Sequence, residues 1–330
     1  MADLNTTDSY LREQLTERRE RLVSAIAVSH ASSNLAQLLG EVDAALERVE
    51  AGTFGICEAC HETIEKDRLI CNPLLRYCLD HLTGEQRSAL EQDLELASRL
   101  QREMLPKQDT NFCGWEIFHH YKGLGPVSGD YCDVICRDGD GLDLFFALGD
   151  ASGKGVAASM LMAHLHAIFR TLTASGLPVH EMVARASRIF RESALSPYFA
   201  TMVCGEASAS GEVEICNAGH CPPLLLRDGR ATPLQATGMP LGLFAEGHYS
   251  SQTVELNPGD SLFLYTDGLS EAKNHTEEEY GESRLAQMVT QSHRLAPRAL
   301  VGACLEDLDG FLAGAPLADD LTVMVIRRAN

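Results

Sequence analysis

The chain lacks any run of about 18 consecutive apolar residues, the length a helix needs to cross a bilayer. Its opening, MADLNTTDSYLREQ, has neither the basic segment nor the apolar core of a signal peptide. The expectation is a cytoplasmic protein with no membrane partner. Basic residues are also scarce, with 27 Lys and Arg against 47 Asp and Glu and a formal net charge of -20. Such a surface repels nucleic-acid phosphate and anionic lipid, so direct nucleic-acid binding is disfavoured, while clusters of the acidic excess suit cations. What is present is ordinary: 45% hydrophobic and 22% charged residues describe a folded globular chain. At 330 residues, two domains of unequal size are expected. The eleven cysteines, in a reducing compartment, are thiols or metal ligands.

Residues 4 to 51 carry apolar positions at helical spacing: Leu11, Leu15, Leu22 and Ile26, then Leu35, Leu39, Val42, Leu46 and Val49. The polar break at Ser29-His30-Ala31-Ser32-Ser33 makes them a helical hairpin. A further helix is expected from about 84 to 105, ending before Pro106. Within it Leu90, Leu94, Ala97, Gln101 and Met104 form a stripe of two heptads, which suits either a dimer-forming coiled coil or a helix packed on its own domain. From 114 onward the pattern changes to short apolar or alternating runs between turn residues. Strands are placed near 114 to 121, 130 to 137, 142 to 149, 199 to 207, 212 to 217, 223 to 227, 252 to 256, 261 to 266 and 321 to 327. Helices fall at 155 to 174, 178 to 194, 281 to 293 and 297 to 313. Strands interrupted by paired helices indicate a layered α+β domain. The expected division is 1–83, a linker helix at 84–105, and 106–330.

Cys57, Cys60, Cys78 and His81 make a C-x2-C-x17-C-x2-H pattern. Two knuckles of soft donors at this separation can close a tetrahedron around one structural zinc. His61 and Cys71, inside the same segment, are alternative ligands. The segment Gly52-Thr-Phe-Gly-Ile-Cys-Glu-Ala-Cys60, with the helix before it, resembles the DksA/TraR zinc-finger family. That family usually closes its finger with a second Cys-x2-Cys, where this chain has His81. Its members act on RNA polymerase through acidic residues at a hairpin tip, and the tip here is Ser-His-Ala-Ser-Ser, so the resemblance does not carry that function over.

Four acidic motifs punctuate the second half: Ser128-Gly129-Asp130, Gly149-Asp150-Ala151-Ser152-Gly153, Thr266-Asp267-Gly268 and Asp319-Asp320-Leu321-Thr322. Apolar strands such as Leu-Phe-Phe-Ala-Leu before Gly149 deliver these carboxylates to the edge of a core. Carboxylates gathered in one cleft repel each other unless cations bind, and all-oxygen donors select Mg²⁺ or Mn²⁺. Two such ions fit hydrolysis of a phosphoester.

With Leu96-Ala-Ser-Arg-Leu-Gln-Arg-Glu-Met-Leu-Pro106, Asn217-Ala-Gly-His220 and Met239-Pro-Leu-Gly-Leu243, these motifs resemble the metal-dependent PPM phosphatases in their bacterial SpoIIE/RsbU branch, over residues 96 to 328. The resemblance implies a β-sandwich flanked by helix pairs (αββα), with two Mn²⁺ or Mg²⁺ ions at one end. Asp130 and Asp150 would bridge or ligate the metals, Ala151 would offer its carbonyl, and Asp267 and Asp319 would complete the second site, with Asp320 as the alternative to Asp319. It also implies a phosphorylated protein substrate, such as an anti-sigma-factor antagonist, and a homodimer switched through the linker helix. Where type 2C relatives read Asp-Gly-His-Gly, this chain reads Asp150-Ala151-Ser152-Gly153, so the imidazole proposed there as general acid is missing, as is an obvious phosphate-clamping arginine.

Gly149 to Gly155 is one residue short of a phosphate-binding loop, and Lys154 in it borders the site. His220 is read as a structural hydrogen bonder, His164 and His166 as core or helix-surface residues, and Cys132, Cys136 and Cys216 as small buried apolar residues. The alternative function is a transcription-regulatory binding protein that uses the zinc module beside a degenerate phosphatase domain.

Overall fold

The computed structural model describes residues 2–28, 33–82, 84–137, 143–193, 198–244 and 247–329. The chain forms two compact units, residues 1–93 and 94–330. The proposed hairpin tip at residues 29–32 lies outside the described residues.

In the first unit, helices α1 (Ala2–Val28) and α2 (Ser33–Glu50) bury Leu15, Leu22, Val42 and Ala45 in a shared cluster, as the spacing of their apolar residues requires. The finger follows, with a bridge between Ile56 and Thr63, helix α3 (Lys66–Cys71) and a 3-10 turn at Leu79–His81. Its small core of Cys57, Ile64, Leu69 and Cys78 also takes in Leu11 of α1. Arg48 of α2 donates to the carbonyls of Leu74 (3.4 Å) and Leu75 (3.1 Å), tying the hairpin to the finger. Helix α4 runs Gly84–Met104, the span expected to within one residue.

The second unit is a sandwich of two antiparallel sheets. Its strands are β1 (Asp109–Phe112), β2 (Trp115–Lys122), β3 (Asp130–Arg137), β4 (Asp143–Ala151), β5 (Ala200–Ala207), β6 (Glu212–Ala218), β7 (Leu224–Arg227), β8 (Arg230–Pro233), β9 (Gln252–Glu255), β10 (Ser261–Tyr265) and β11 (Leu321–Arg328). One sheet has the order β1-β2-β11-β10-β7-β8 and the other β3-β4-β5-β6-β9. Its helices are α5 (Gly155–Leu172), α6 (Val179–Ser193), α7 (Asp267–Ser270), α8 (Glu282–Gln291) and α9 (Pro297–Leu312).

Strand period 2 builds the layers. Leu144, Phe146 and Leu148 of β4 meet Leu262 and Leu264 of β10 and Met324 and Ile326 of β11 between the sheets. The alternate residues Phe145 and Ala147 face the other way, against Met162, Leu165 and Phe169 of α5 and Met182, Val183 and Phe190 of α6. On the opposite side Phe263, Val323 and Val325 pack against Leu285 and Val289 of α8 and Leu300, Val301 and Cys304 of α9. Strands buried on both faces read as continuous apolar runs, which is why β4 and β10 stand out in the sequence.

Helix α5 is latched to β3 by a buried carboxylate. Asp133 accepts from Arg170 Nε (2.8 Å) and Nη2 (2.6 Å), and from the Tyr131 hydroxyl (3.2 Å). Among the described residues, no helix is long and apolar enough to cross a membrane.

Candidate active site and metal centres

The start of β3, the end of β4, the end of β10 and the start of β11 gather at one end of the sandwich, and each brings an aspartate. Asp130 and Asp150 are cross-strand partners on β3 and β4. Tyr265 at the end of β10 pairs with Val323 of β11, so Asp267, the first residue of α7, comes near the Asp319-Asp320 pair that precedes β11.

Asp130 is 1% exposed, and the hydroxyls of Thr266 (3.1 Å) and Thr322 both donate to its Oδ2, joining the two sheets through one carboxylate. The Thr266 hydroxyl in turn accepts from the Thr322 amide at 3.0 Å. Asp320 holds the loop before β3: its Oδ1 accepts from the Leu124 amide at 2.7 Å and its Oδ2 from the Gly129 amide at 2.8 Å. Asp319 instead pairs with Lys154, Nζ to Oδ2 2.8 Å. The two neighbours therefore divide the work, with Asp320 bonded to backbone and Asp319 left toward the other carboxylates. Gln101 of α4 clasps the same loop, donating to the Ser128 carbonyl at 2.7 Å and accepting from its amide at 3.0 Å.

The electrostatics are those of crowded anions. Burial first, then the charges of Asp267, Asp319 and Asp320, push Asp150 up to about 7, against the pull of Lys154. Burial lifts Asp130 well above the carboxylate range, opposed by the Thr322 hydroxyl and reinforced by Asp150 and Asp320. Asp267 is raised by burial and then by Asp319. Gly129 lies against the donors: a Cβ there would meet the Ala151 carbonyl oxygen at 3.0 Å and Asp150 Oδ1 at 3.3 Å. An all-oxygen set, mutually repelling and including an inward carbonyl, fits hard divalent cations.

The second centre is of another kind. Ligand atoms of Cys57, Cys60, Cys78 and His81 all lie within 4.8 Å of one another, the only group of three or more His, Cys, Asp or Glu drawn that close among the described residues. Cys60 and Cys78 sulfurs are 3.7 Å apart, against the about 3.8 Å expected between sulfurs each about 2.3 Å from a tetrahedral zinc. His81 Nδ1 sits 3.2 Å from Cys78 Sγ. His61 is exposed, has a left-handed φ of 61° and stands outside the group, and of Cys71 only the backbone is described.

The remaining sequence candidates have structural partners. His220 is buried, held neutral by that burial at a pKa of about 4, and bonded through Nδ1 to Thr201 Oγ1 at 2.9 Å. His164 stacks on Phe190, and His166 lies 3.9 Å from Asp133. Cys132 and Cys216 are buried as expected, but Cys136 is exposed near the end of β3, although it shares the strand phase of the buried Cys132 and Val134. Thr266 and Thr322 were not singled out from the sequence, although both stand inside the aspartate motifs. Gln101 has no local signal beyond its place in the helical stripe, and its partner is 27 residues away.

This two-sheet, helix-flanked architecture with carboxylates at one end is the fold of the metal-dependent PP2C-type phosphatases. The SiaA-PP2C domain of Pseudomonas aeruginosa superposes with a TM-score of 0.65 at 19% identity, over 74% of this chain and 98% of that one. The RsbU and RsbW domains of Rv1364c from Mycobacterium tuberculosis give 0.57 at 28% identity, over 66% of this chain and 61% of that one. The family model described as Stage II sporulation protein E (SpoIIE) matches residues 140–329, more than half of the chain, and the chain belongs to that family. The prokaryotic dksA/traR C4-type zinc-finger model matches residues 52–80, ending one residue before His81. Protein IcfG of Synechocystis is 25% identical over 72% of this chain, which spans 41% of IcfG. The phosphoserine phosphatase RsbU of Bacillus subtilis is 23% identical over 75% of this chain and 73% of RsbU.

Proposed function

We propose that this chain is a metal-dependent protein serine/threonine phosphatase of the cytoplasm, acting on a phosphorylated bacterial regulatory protein. The observation that carries the reading is the convergence of Asp130, Asp150, Asp267 and Asp319 at one end of the sandwich, with Asp150 lifted to about 7 by burial and by its acidic neighbours. Bound cations relieve that repulsion. Membership of the SpoIIE family, and the phosphoserine activity in RsbU's name, support it.

In this assignment Asp130, Asp150, the Ala151 carbonyl, Asp267 and Asp319 would hold two Mn²⁺ or Mg²⁺ ions. Such ions supply Lewis-acid polarisation of a phosphoryl oxygen and acidification of a water at neutral pH. The chain itself does the positioning: Thr266 and Thr322 fix Asp130, and Asp320 fixes the loop that carries Gly129. With no imidazole in the Asp150 loop, the departing serine oxygen would take its proton from solvent.

The finger, in this reading, holds one zinc and serves as a docking or sensing module. Two chains associate through α4, where Leu96 (49% exposed) and Leu100 (57%) sit one turn apart on the outer face while Gln101 is buried. Light scattering of the full chain is expected to give a dimer, and Leu96→Glu/Leu100→Glu a monomer. The catalytic reading is tested by hydrolysis of p-nitrophenyl phosphate and of a phosphoserine peptide with Mn²⁺ and with EDTA. Activity only with the metal is expected; an undiminished rate in EDTA would overturn it.

A further inference from the structure

Lys154 stands between Gly153 (φ 101°) and Gly155 (φ 67°), immediately before the first turn of α5. Its side chain crosses to the loop before β11, where Nζ donates to Asp319 Oδ2 at 2.8 Å and to the Ala318 carbonyl at 3.0 Å. An ammonium has three N–H donors, so these two bonds leave a third. The side chain is 63% exposed, which puts this cation at the mouth of the cleft rather than inside it. Its charge bears on both Asp150 and Asp267.

A phosphomonoester dianion approaching this cleft meets the carboxylate of Asp319 and the exposed ammonium of Lys154. We propose that Lys154 is the phosphate-binding residue of the site: its ammonium rests on Asp319 and exchanges that carboxylate for a phosphoryl oxygen when substrate arrives. The exchange is a substitution of one anionic oxygen acceptor for another, so it costs no net hydrogen bond and leaves no buried charge unpaired. Positive φ on both sides gives the backbone room to re-aim the side chain. Lysine suits the role because it binds phosphate as a movable point charge rather than as a fixed fork. The proposal rests on the phosphatase reading for its substrate, and supplies a phosphate-binding cation where the sequence offers no obvious arginine clamp.

Binding of inorganic phosphate to the Mg²⁺-loaded full chain, measured by calorimetry, tests the proposal without turnover. Wild type is expected to bind phosphate, Lys154→Gln at least tenfold more weakly, and Lys154→Arg within about threefold of wild type, because arginine keeps the charge. Mn²⁺ affinity, followed separately by electron paramagnetic resonance, is expected to hold or tighten in Lys154→Gln, since Asp319 loses a competitor. In hydrolysis the same variant should show a raised KM and a raised inhibition constant for phosphate. Equal phosphate affinity in Lys154→Gln and wild type, or no phosphate binding to wild type, would overturn the proposal. A fall in Mn²⁺ affinity that accounts for the whole loss would assign Lys154 to metal-site architecture instead. Failure of the phosphatase reading is a different result: no metal-dependent hydrolysis, whatever phosphate does.

Discussion

The Cys57–His81 group is assembled within one short stretch of chain, whereas the acidic cleft draws on positions from Asp130 to Asp319. In the finger, local bonds preset the ligands: the Cys57 amide donates to the Glu62 carbonyl at 2.8 Å and the His81 amide to the Cys78 carbonyl at 3.1 Å. Thiol and imidazole donors can approach one another uncharged, so the group closes to within 4.8 Å. In the cleft the decisive bonds are long-range, such as Thr322 to Asp130 and Gly129 to Asp320, and the donors repel each other. A soft site can thus be shaped by a peptide segment, but a hard-ion site of like charges requires a folded sandwich to hold it open. Loss of a cleft aspartate should therefore spare the finger, and loss of the finger's thiols should spare the sandwich.

The largest effect expected is in that crossed experiment. Asp150→Asn and Asp267→Asn each keep shape but remove a charged oxygen donor, and should lower metal-dependent hydrolysis by more than the about 10–100-fold that loss of an outer-shell partner costs. Both should retain one zinc per chain by elemental analysis. Cys57→Ser/Cys60→Ser should lose the zinc, because it removes two of the three thiolates and leaves one thiolate and one imidazole. If the cysteine pair abolishes hydrolysis as completely as Asp150→Asn, the two centres are not independent.

Asp320 sharpens the contrast between ligand and support. Its carboxylate is occupied by two backbone amides, so Asp320→Ala should loosen the Gly129 loop and reduce activity by about 10–100-fold, with a weaker apparent affinity for Mn²⁺. Asp320→Asn keeps one acceptor oxygen and should recover part of the loss. A larger loss for Asp320→Ala than for Asp319→Ala would exchange the roles of the two neighbours.

The sequence revealed elements in proportion to how much of their signal is local. Strands β4, β10 and β11 were placed within two residues because both their faces are apolar, and α6 because Val179, Met182, Val183, Ala186 and Phe190 fall on one stripe. The short strands β1 (DTNF) and β8 (RATP) escaped, being largely polar edge strands with one apolar residue each, Phe112 and Ala231, packed against a core. The single-turn helix α7 that Asp267 opens is too short for a periodic pattern and has no counterpart among the helices expected from the sequence. The aspartates themselves were legible from their motifs. Their division of labour was not, since nothing in Asp319-Asp320 says which side chain meets Leu124 and Gly129 on a loop 191 residues away.

A smaller effect separates the centres by pH. In EDTA, the folded-state value of about 7 for Asp150 stands above the about 3.9 of an unfolded chain, so the folded protein binds more protons between those values. That contribution to stability is present at low pH and is lost as pH rises toward 7. The metal-free wild type should therefore lose Tm relative to Asp150→Asn between pH 5 and 8, and saturating Mn²⁺ should remove the difference. Parallel profiles in EDTA would mean that the carboxylates do not strain the empty cleft.

The smallest difference lies inside the finger, at its fourth ligand. His81 Nδ1 is 3.2 Å from Cys78 Sγ, on a 3-10 turn whose backbone bond to Cys78 fixes its direction. His61 is nearer to Cys60 in sequence, yet its left-handed backbone stands outside the ligand group. Three cysteines bind zinc without the imidazole, only less tightly, so His81→Ala should weaken zinc retention against a competing chelator without eliminating it. His61→Ala should leave retention within about twofold, and His61→Gly should match it while relieving up to about 1 kcal/mol of left-handed strain in the finger. His81→Cys restores the four-thiolate closure usual in this finger family and should hold zinc at least as firmly as wild type. Were His61→Ala to release zinc faster than His81→Ala, the ligand would be His61, and the turn at Leu79–His81 would have to be a structural cap alone.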